Sequence, residues 1–391
     1  MIQELKILHC VTDDKFIDSM IDLTQTFWEG CYHEYVFIYN KSKIEFKYIH
    51  KKELIKQIKD HEFIDYIQQQ HFNVVILHNL YSIPYYDLVK IPFGIKVVWF
   101  AWGFDIYLST YNLLRPLINK KLYYNKTKRY RIDKTNMLKH NLFMFISRLL
   151  KLCHYKQLKK AIGRIDYFSG VIPEEYDLIV SDKHNKHFRA KPLLFSYNSS
   201  IGMYNEENIN NPIVSGYDIQ VGNSGDPSNN HIDIMDELKR LNLQNKRVYC
   251  PISYSGTEYY CEKIRKHGEK LFGECFFPLT TFIPLSEYKK IISSTRYAIF
   301  AMERQQAMGN ILIGLWEGRM VFLSENNPAY LSLKNKGYVI YTIQHDLDKI
   351  ERNEIINDEE LLINRKLLIK DYSTESEIKK AKDIIKILAN Q

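Results

Sequence analysis

The sequence predicts an α/β protein built from two Rossmann-like domains in tandem, and three observations carry that prediction. The chain has 391 residues, too many for one ordinary core and enough for two of about 150–200 residues. Short, nearly continuous apolar runs alternate with amphipathic stretches, as parallel strands buried on both faces require. A polar, turn-rich stretch from Asn198 to Pro212 interrupts the alternation, which then resumes. The domains are therefore expected at residues 1–205 and 206–391.

In the first half, strands are expected at Leu5–His9, Tyr35–Tyr39, Asn73–His78, Lys96–Phe100, Asp166–Val171 and Pro192–Tyr197. Phe16, Met20, Ile21, Leu23 and Phe27 fall at helical spacing, and Leu54–Ile67 also reads as a helix. In the second half, strands are expected at Tyr217–Val221, Arg247–Cys250, Glu274–Phe277, Tyr297–Phe300 and Met320–Leu323. Helices fit between them at Ile232–Leu241, Glu258–Phe272 and Ser286–Ser293. A last helix, from about Glu375 to Ala389, alternates lysines with isoleucines and reads as a terminal brace.

Composition removes several classes. Apolar residues make up 45% and charged residues 26%, a globular balance. No apolar run approaches the roughly 18–20 residues of a membrane span. The start, MIQELKILHC, mixes acid and base and lacks the apolar stretch of a secretory leader, so the protein is expected in the cytoplasm. Cys10, Cys31, Cys153, Cys250, Cys261 and Cys275 are scattered without metal-ligand spacing. Asp182, His184 and His187 lie close together, in a hydrophilic stretch that reads as a solvated loop rather than a metal site.

Charge is uneven. The net charge is +8, yet the window Arg115–Arg164 holds fifteen Lys or Arg against a single acid, Asp133. Tyrosines, leucines and phenylalanines are interleaved there. Such an insertion suits an anionic membrane surface, where each cation contributes about 1 kcal/mol. It also has the composition of an RNA-binding segment or of a solvated helical insertion.

Of the sixteen glycines, eleven lie at or after Gly202, which places the demand for unusual backbone geometry in the second domain. Gly222-Asn223-Ser224-Gly225-Asp226 follows a strand and runs through Asn229 onto a helix. Small residues there let backbone N–H groups approach a diphosphate at a helix N-terminus. Neither the P-loop nor the dinucleotide fingerprint is present. A second polar loop, Glu303-Arg304-Gln305-Gln306, leads to Gly309 and Asn310 at the start of an apolar helix. Glu303 suits sugar or ribose hydroxyls, and Arg304 suits a phosphate. A third loop carries Asn326 and Asn327. With Tyr254, these residues form the expected donor site. In the first domain, Asp105 after Trp102-Gly103-Phe104 is the preferred general base, because an apolar setting raises a carboxyl pKa. Asp13 and Asp14 are the alternatives, and each of the three also fits a helix cap.

The stretch VGNSGDPSNNH, with ERQQAMGN some eighty residues later and then LSENNP, resembles glycosyltransferase family 56. That family includes the TDP-N-acetylfucosamine:lipid II N-acetylfucosaminyltransferase. The WGFD and DYFSGVIPEEYDL segments are similar to first-domain counterparts, so the resemblance runs from about Lys6 to Tyr341. It implies the GT-B fold, with two Rossmann-like domains facing across a cleft. It also implies a nucleotide-sugar donor, dTDP- or GDP-linked, in the second domain, and a polyprenyl-diphosphate-linked saccharide as acceptor. No metal or other cofactor is implied, and the single D-x-D, Asp346-Leu347-Asp348, lies in a late polar segment. On this reading the protein moves a fucose-type sugar while peripheral on the inner face of the cytoplasmic membrane, and no nucleic acid is expected as partner. A nucleic-acid-binding protein, or another enzyme acting on nucleotide sugars, are the competing readings.

Overall fold

The computed structural model describes residues 4–108, 115–133, 137–197, 202–244, 246–281, 283 and 285–390. Seven strands, β1 (Leu5–Val11), β2 (Cys31–Tyr39), β3 (Ile55–Lys59), β4 (Val74–His78), β5 (Lys96–Phe100), β6 (Tyr167–Ser169) and β7 (Lys191–Pro192), form one sheet. Its order is β3-β2-β1-β4-β5-β6-β7, and every pairing is parallel. Six more, β8 (Asp218–Val221), β9 (Val248–Pro251), β10 (Phe276–Leu279), β11 (Thr295–Phe300), β12 (Met320–Leu323) and β13 (Tyr341–Thr342), form a second parallel sheet. Its order is β10-β9-β8-β11-β12-β13.

Each sheet is buried on both faces, which explains its unbroken apolar strands. In the first, Leu8, Val75, Leu77, Val97 and Trp99 pack on one side with Phe63, Ile67, Leu158 and Ile162. Their neighbours Ile7, Val74, Ile76, Val98 and Phe100 pack on the other with Ile17, Met20 and Ile21. In the second, Ile219, Val221, Tyr297 and Ile299 meet Met235, Leu238, Tyr260 and Ile264. Ala298, Phe300, Val321 and Leu323 meet Ile311, Leu315 and Trp316.

The chain divides into two compact units, but not at a single boundary. One comprises Met1–Asn119, Met144–Ile201 and Thr374–Gln391; the other comprises Lys120–Phe143 and Gly202–Ser373. The expected split into 1–205 and 206–391 thus differs at both ends of the second unit. The terminal helix, Thr374–Ala389, buries Ala381, Ile384 and Leu388 in the first unit's core. Burying the two larger side chains contributes about 1.5–3 kcal/mol each, and Lys96 Nζ donates to the Leu388 carbonyl at 2.8 Å. The other exchange, residues 120–143, comes out of the basic window and is taken up below.

Leu54–Ile67 is not one helix. Ile55–Lys59 is an edge strand in register with Tyr35–Tyr39, and the helix begins only at Phe63. Ile55 and Ile58, three apart and both buried, imitate a helical stripe, and pairing with β2 overrides that local signal. The strand expected at Pro192–Tyr197 is reduced to the two residues of β7.

Candidate active site

In each sheet the connections leave in opposite directions from two adjacent central strands, β1 and β4 in the first and β8 and β11 in the second. Ligands of open parallel sheets bind at the carboxyl ends of such strands. In the second unit, the loop after β8 and the loop after β11 therefore lie side by side.

Gly222 ends β8 with φ +71°, and a Cβ there would stand 2.6 Å from His231 Nε2 and 2.9 Å from Asn229 Oδ1. Glycine is required both by the left-handed backbone and by this close approach. Asn229 Oδ1 accepts from the Asn223 N–H at 3.0 Å, and its amide donates to Ser224 Oγ at 3.3 Å. Gly225 N–H donates to the Tyr254 carbonyl at 2.7 Å, and Cys261 Sγ fills the space a Cβ would need. Asp226 Oδ1 accepts from the Ser228 N–H at 2.8 Å and from its hydroxyl at 2.5 Å. That hydroxyl oxygen also stands 2.6 Å from Gln306 Oε1, which joins the two loops.

After β11, Glu303 is buried and its Oε1 accepts from Ser324 Oγ at 2.7 Å and from Tyr124 Oη at 2.6 Å. Arg304 is buried as well and donates to the Gln305 carbonyl at 3.1 Å. Ala307 then holds φ +62° and starts the helix Met308–Trp316, whose first turn has no side-chain cap. A non-glycine residue in that conformation costs about 1 kcal/mol or more. Gly309 is exposed with open space at its Cβ position, so the helix presents its N–H groups and positive dipole end beside Gln306 and Asn310. Asn327 is committed elsewhere. It caps the helix Pro328–Asn335 and donates to the Met302 carbonyl at 2.8 Å. Asn326 receives a hydrogen bond from Lys120 Nζ on its carbonyl.

The sequence reading missed the segment that covers these loops. Tyr124 N–H donates to Asn230 Oδ1 at 2.8 Å, while the Asn230 amide donates to the carbonyls of Leu122, Ser228 and Ala301. Asp233 accepts from the N–H groups of Lys126 and Thr127 at 3.0 and 2.8 Å, which caps the short helix Asn125–Tyr130. The Arg131 guanidinium lies 4.4 Å from the Tyr123 ring centroid. The first part of the basic window is thus a strap on the loops after β8 and β11, not a free surface. Its later part behaves differently. On the helix Met137–Gly163, Leu142, Phe143, Phe145, Ile146, Leu149, Leu150 and Leu152 are 47–67% exposed. His231 was also missed. It is fully buried, and burial pushes its pKa down to about 3. No side chain among the described residues hydrogen-bonds to either ring nitrogen, and the backbone of Ser224 is the polar group beside the ring. Its place directly after Asn229-Asn230 was the only signal for it.

The first unit's edge is made of rings and carboxylates. His9 Nδ1 lies 2.9 Å from His78 Nε2, His9 Nε2 lies 2.9 Å from His33 Nδ1, and His78 Nδ1 lies 2.6 Å from Tyr197 Oη. Burial lowers all three histidines, to about 3 for His78 and about 4 for His33. The three carboxylates expected here part company. Asp105 is buried and accepts from Trp99 Nε1 at 2.8 Å and from the N–H groups of Leu80 and Trp102 at 3.1 and 3.0 Å. Burial nonetheless raises it to about 6. Asp13 accepts from the N–H groups of Lys47, Tyr48 and Ile49 and so anchors the loop after β2. Asp14 accepts from the Phe16 N–H at 3.1 Å, and burial raises its pKa above the ordinary carboxylate value against the backbone contacts of Phe16 and Lys15.

Among the described residues, no group of three or more His, Cys, Asp or Glu is placed to hold a metal ion. No helix among them is long and apolar enough to cross a membrane. Cys10, Cys31, Cys250, Cys261 and Cys275 are free thiols.

The family model described as 4-alpha-L-fucosyltransferase, glycosyl transferase group 56, matches residues 37–369. The chain belongs to glycosyltransferase group 56. This glycosyltransferase also has the GT-B fold. HepE of Anabaena, solved with UDP and glucose, superposes with a TM-score of 0.61 at 11% identity, over 98% of this chain and 99% of that one. A glycosyltransferase from Rickettsia africae gives 0.62 at 12% identity over 99% of each chain. The lipopolysaccharide outer core galactosyltransferase WaaB gives 0.58 at 11% identity, over 98% and 99%.

Proposed function

We propose that this glycosyltransferase takes fucose or N-acetylfucosamine from a nucleotide-sugar donor and transfers it to a lipid-linked saccharide at the cytoplasmic membrane face. The observation that carries the donor half is the uncapped N-terminus of Met308–Trp316, bordered by Arg304, Gln306 and the glycine loop. Backbone donors and a dipole end suit a diphosphate, and HepE, of the same fold, is a UDP-sugar complex. Arg304 and the helix N–H groups meet the charge that develops on the departing diphosphate, so the transfer needs no metal. Asp14 is the base. It takes the acceptor hydroxyl's proton as that oxygen bonds to the anomeric carbon, and the carbon–diphosphate bond breaks with its electron pair leaving on the nucleoside diphosphate.

The membrane half rests on the exposed side of Met137–Gly163, where seven large apolar side chains precede the exposed Lys156 and Lys160. Apolar insertion flanked by cations fits an anionic leaflet. The double variant Phe145→Ser/Leu149→Ser is expected to bind phosphatidylglycerol vesicles at least tenfold more weakly; unchanged binding removes this half.

A thermal-shift panel of dTDP, GDP, UDP and their sugars, with and without EDTA, tests the donor half. A ligand at about 100 times its Kd stabilises by roughly 2.7 kcal/mol. One responding base, with EDTA making no difference, is the expected result. Silence from every nucleotide overturns the reading.

A further inference from the structure

The stretch Ser181–His187, which reads as a solvated loop, borders a cavity of about 300 Å³ in the first unit. Arg115, Lys159, Lys183, Lys186, His184 and His187 line it. The wall is held in place before any ligand arrives. Asn185 is buried, and its amide donates to the carbonyls of Leu117 and Ile179 at 2.8 and 2.9 Å. Asp182 caps the turn through the His184 N–H at 2.9 Å and pairs with Arg115.

Charge is not balanced inside this frame. Asp182 is the single acid paired with the lining groups, through Arg115 and His184. Lys159, Lys183 and Lys186 make no ion pair among the described residues. Lys159 Nζ instead sits 4.3 Å from the centroid of Tyr155, another lining ring. Both ring nitrogens of His187 are buried, and no lining side chain among the described residues hydrogen-bonds to them, although a buried polar atom ordinarily finds a partner. Burial and the Lys159 charge hold this imidazole below its ordinary pKa, against the opposing contact with the His184 backbone. Converging cations, three of them without an ion-pair partner among the described residues, call for an anion with several oxygens, and phosphoryl groups meet that description.

We propose that this cavity binds a phosphoryl or diphosphoryl group, as a site additional to the donor loops of the second unit. A free phosphate compound and a lipid headgroup share this chemistry. Tyr155 and Lys159 belong to the helix whose preceding turns expose the apolar side chains of residues 142–152, which favours the lipid. That assignment rests on the function proposed above; the site itself does not, and it stands or falls separately from the nucleotide panel.

Inorganic pyrophosphate, titrated into the full chain, is the probe. The His187 imidazole nitrogen signals are expected to shift on binding. Lys183→Gln/Lys186→Gln, both at exposed positions, is expected to weaken binding at least tenfold, while Arg304→Gln in the donor loops leaves this event unchanged. His187 signals that stay still overturn the proposal, as does an affinity lost only in Arg304→Gln. Displacement of bound pyrophosphate by phosphatidic acid vesicles identifies the lipid source, and retention identifies a soluble one; both uphold the site.

Discussion

The carboxyl ends of β1 and β4 carry imidazoles, a phenol and carboxylates, whereas those of β8 and β11 carry glycines, amides and the open end of a helix. Both edges occupy the same topological position in sheets of the same kind, so the difference is not one of fold. The first edge is rich in groups that exchange protons and are shifted from their ordinary pKa by burial. The second presents backbone donors and a buried arginine, groups that attract an anion without exchanging a proton. One scaffold carries two chemically different sets of side chains through its loops.

The sharpest way to break this contrast is at Gly222. Gly222→Val puts a β-branched residue at φ +71° and drives it into His231 and Asn229. Backbone strain alone costs about 1–3 kcal/mol, so the nucleotide response is expected to vanish and the melting temperature to fall. A variant that still responds to nucleotide denies the second edge its anion-holding role.

A subtler cut separates the carboxylates of the first edge. Asp14→Asn is expected to lower kcat about 10²–10⁴-fold and leave the donor KM unchanged. Asp105→Asn replaces a carboxylate that receives three hydrogen bonds, and is expected to lower the melting temperature more than it lowers kcat. Because the base must be ionised, wild-type kcat should decline as pH falls through the raised pKa of Asp14. Full activity in Asp14→Asn, or loss confined to Asp105→Asn, transfers the role to Asp105.

The sequence made the two parallel sheets legible because strands buried on both faces leave long apolar runs, as in Val74–His78 and Tyr297–Phe300. The glycine loop was legible for a local reason too, since Gly222 and Gly225 sit where a side chain has no room. What escaped was contact between distant parts of the chain. Tyr124 and Asn230 are 106 positions apart, and no periodicity in either segment announces that one caps the other. Composition drew attention to the basic window but averaged over two different things, a strap folded on the loops after β8 and β11 and an exposed apolar helix. Position alone likewise could not separate Asp13, Asp14 and Asp105. Only their partners tell which is spent on holding a loop.

The run Tyr197–His78–His9–His33 has three shared positions and two ends, which makes five places for hydrogen. Three neutral imidazoles and one phenol bring four. One place is therefore always vacant, and the vacancy lies at one end or the other according to which way the whole row points. Moving it reverses every tautomer between Tyr197 and His33, and a fifth hydrogen fills the row without breaking any link in it. At the carboxyl edge of the first sheet, then, four side chains form one continuous row in which a change of tautomer at any ring must be matched by its neighbours.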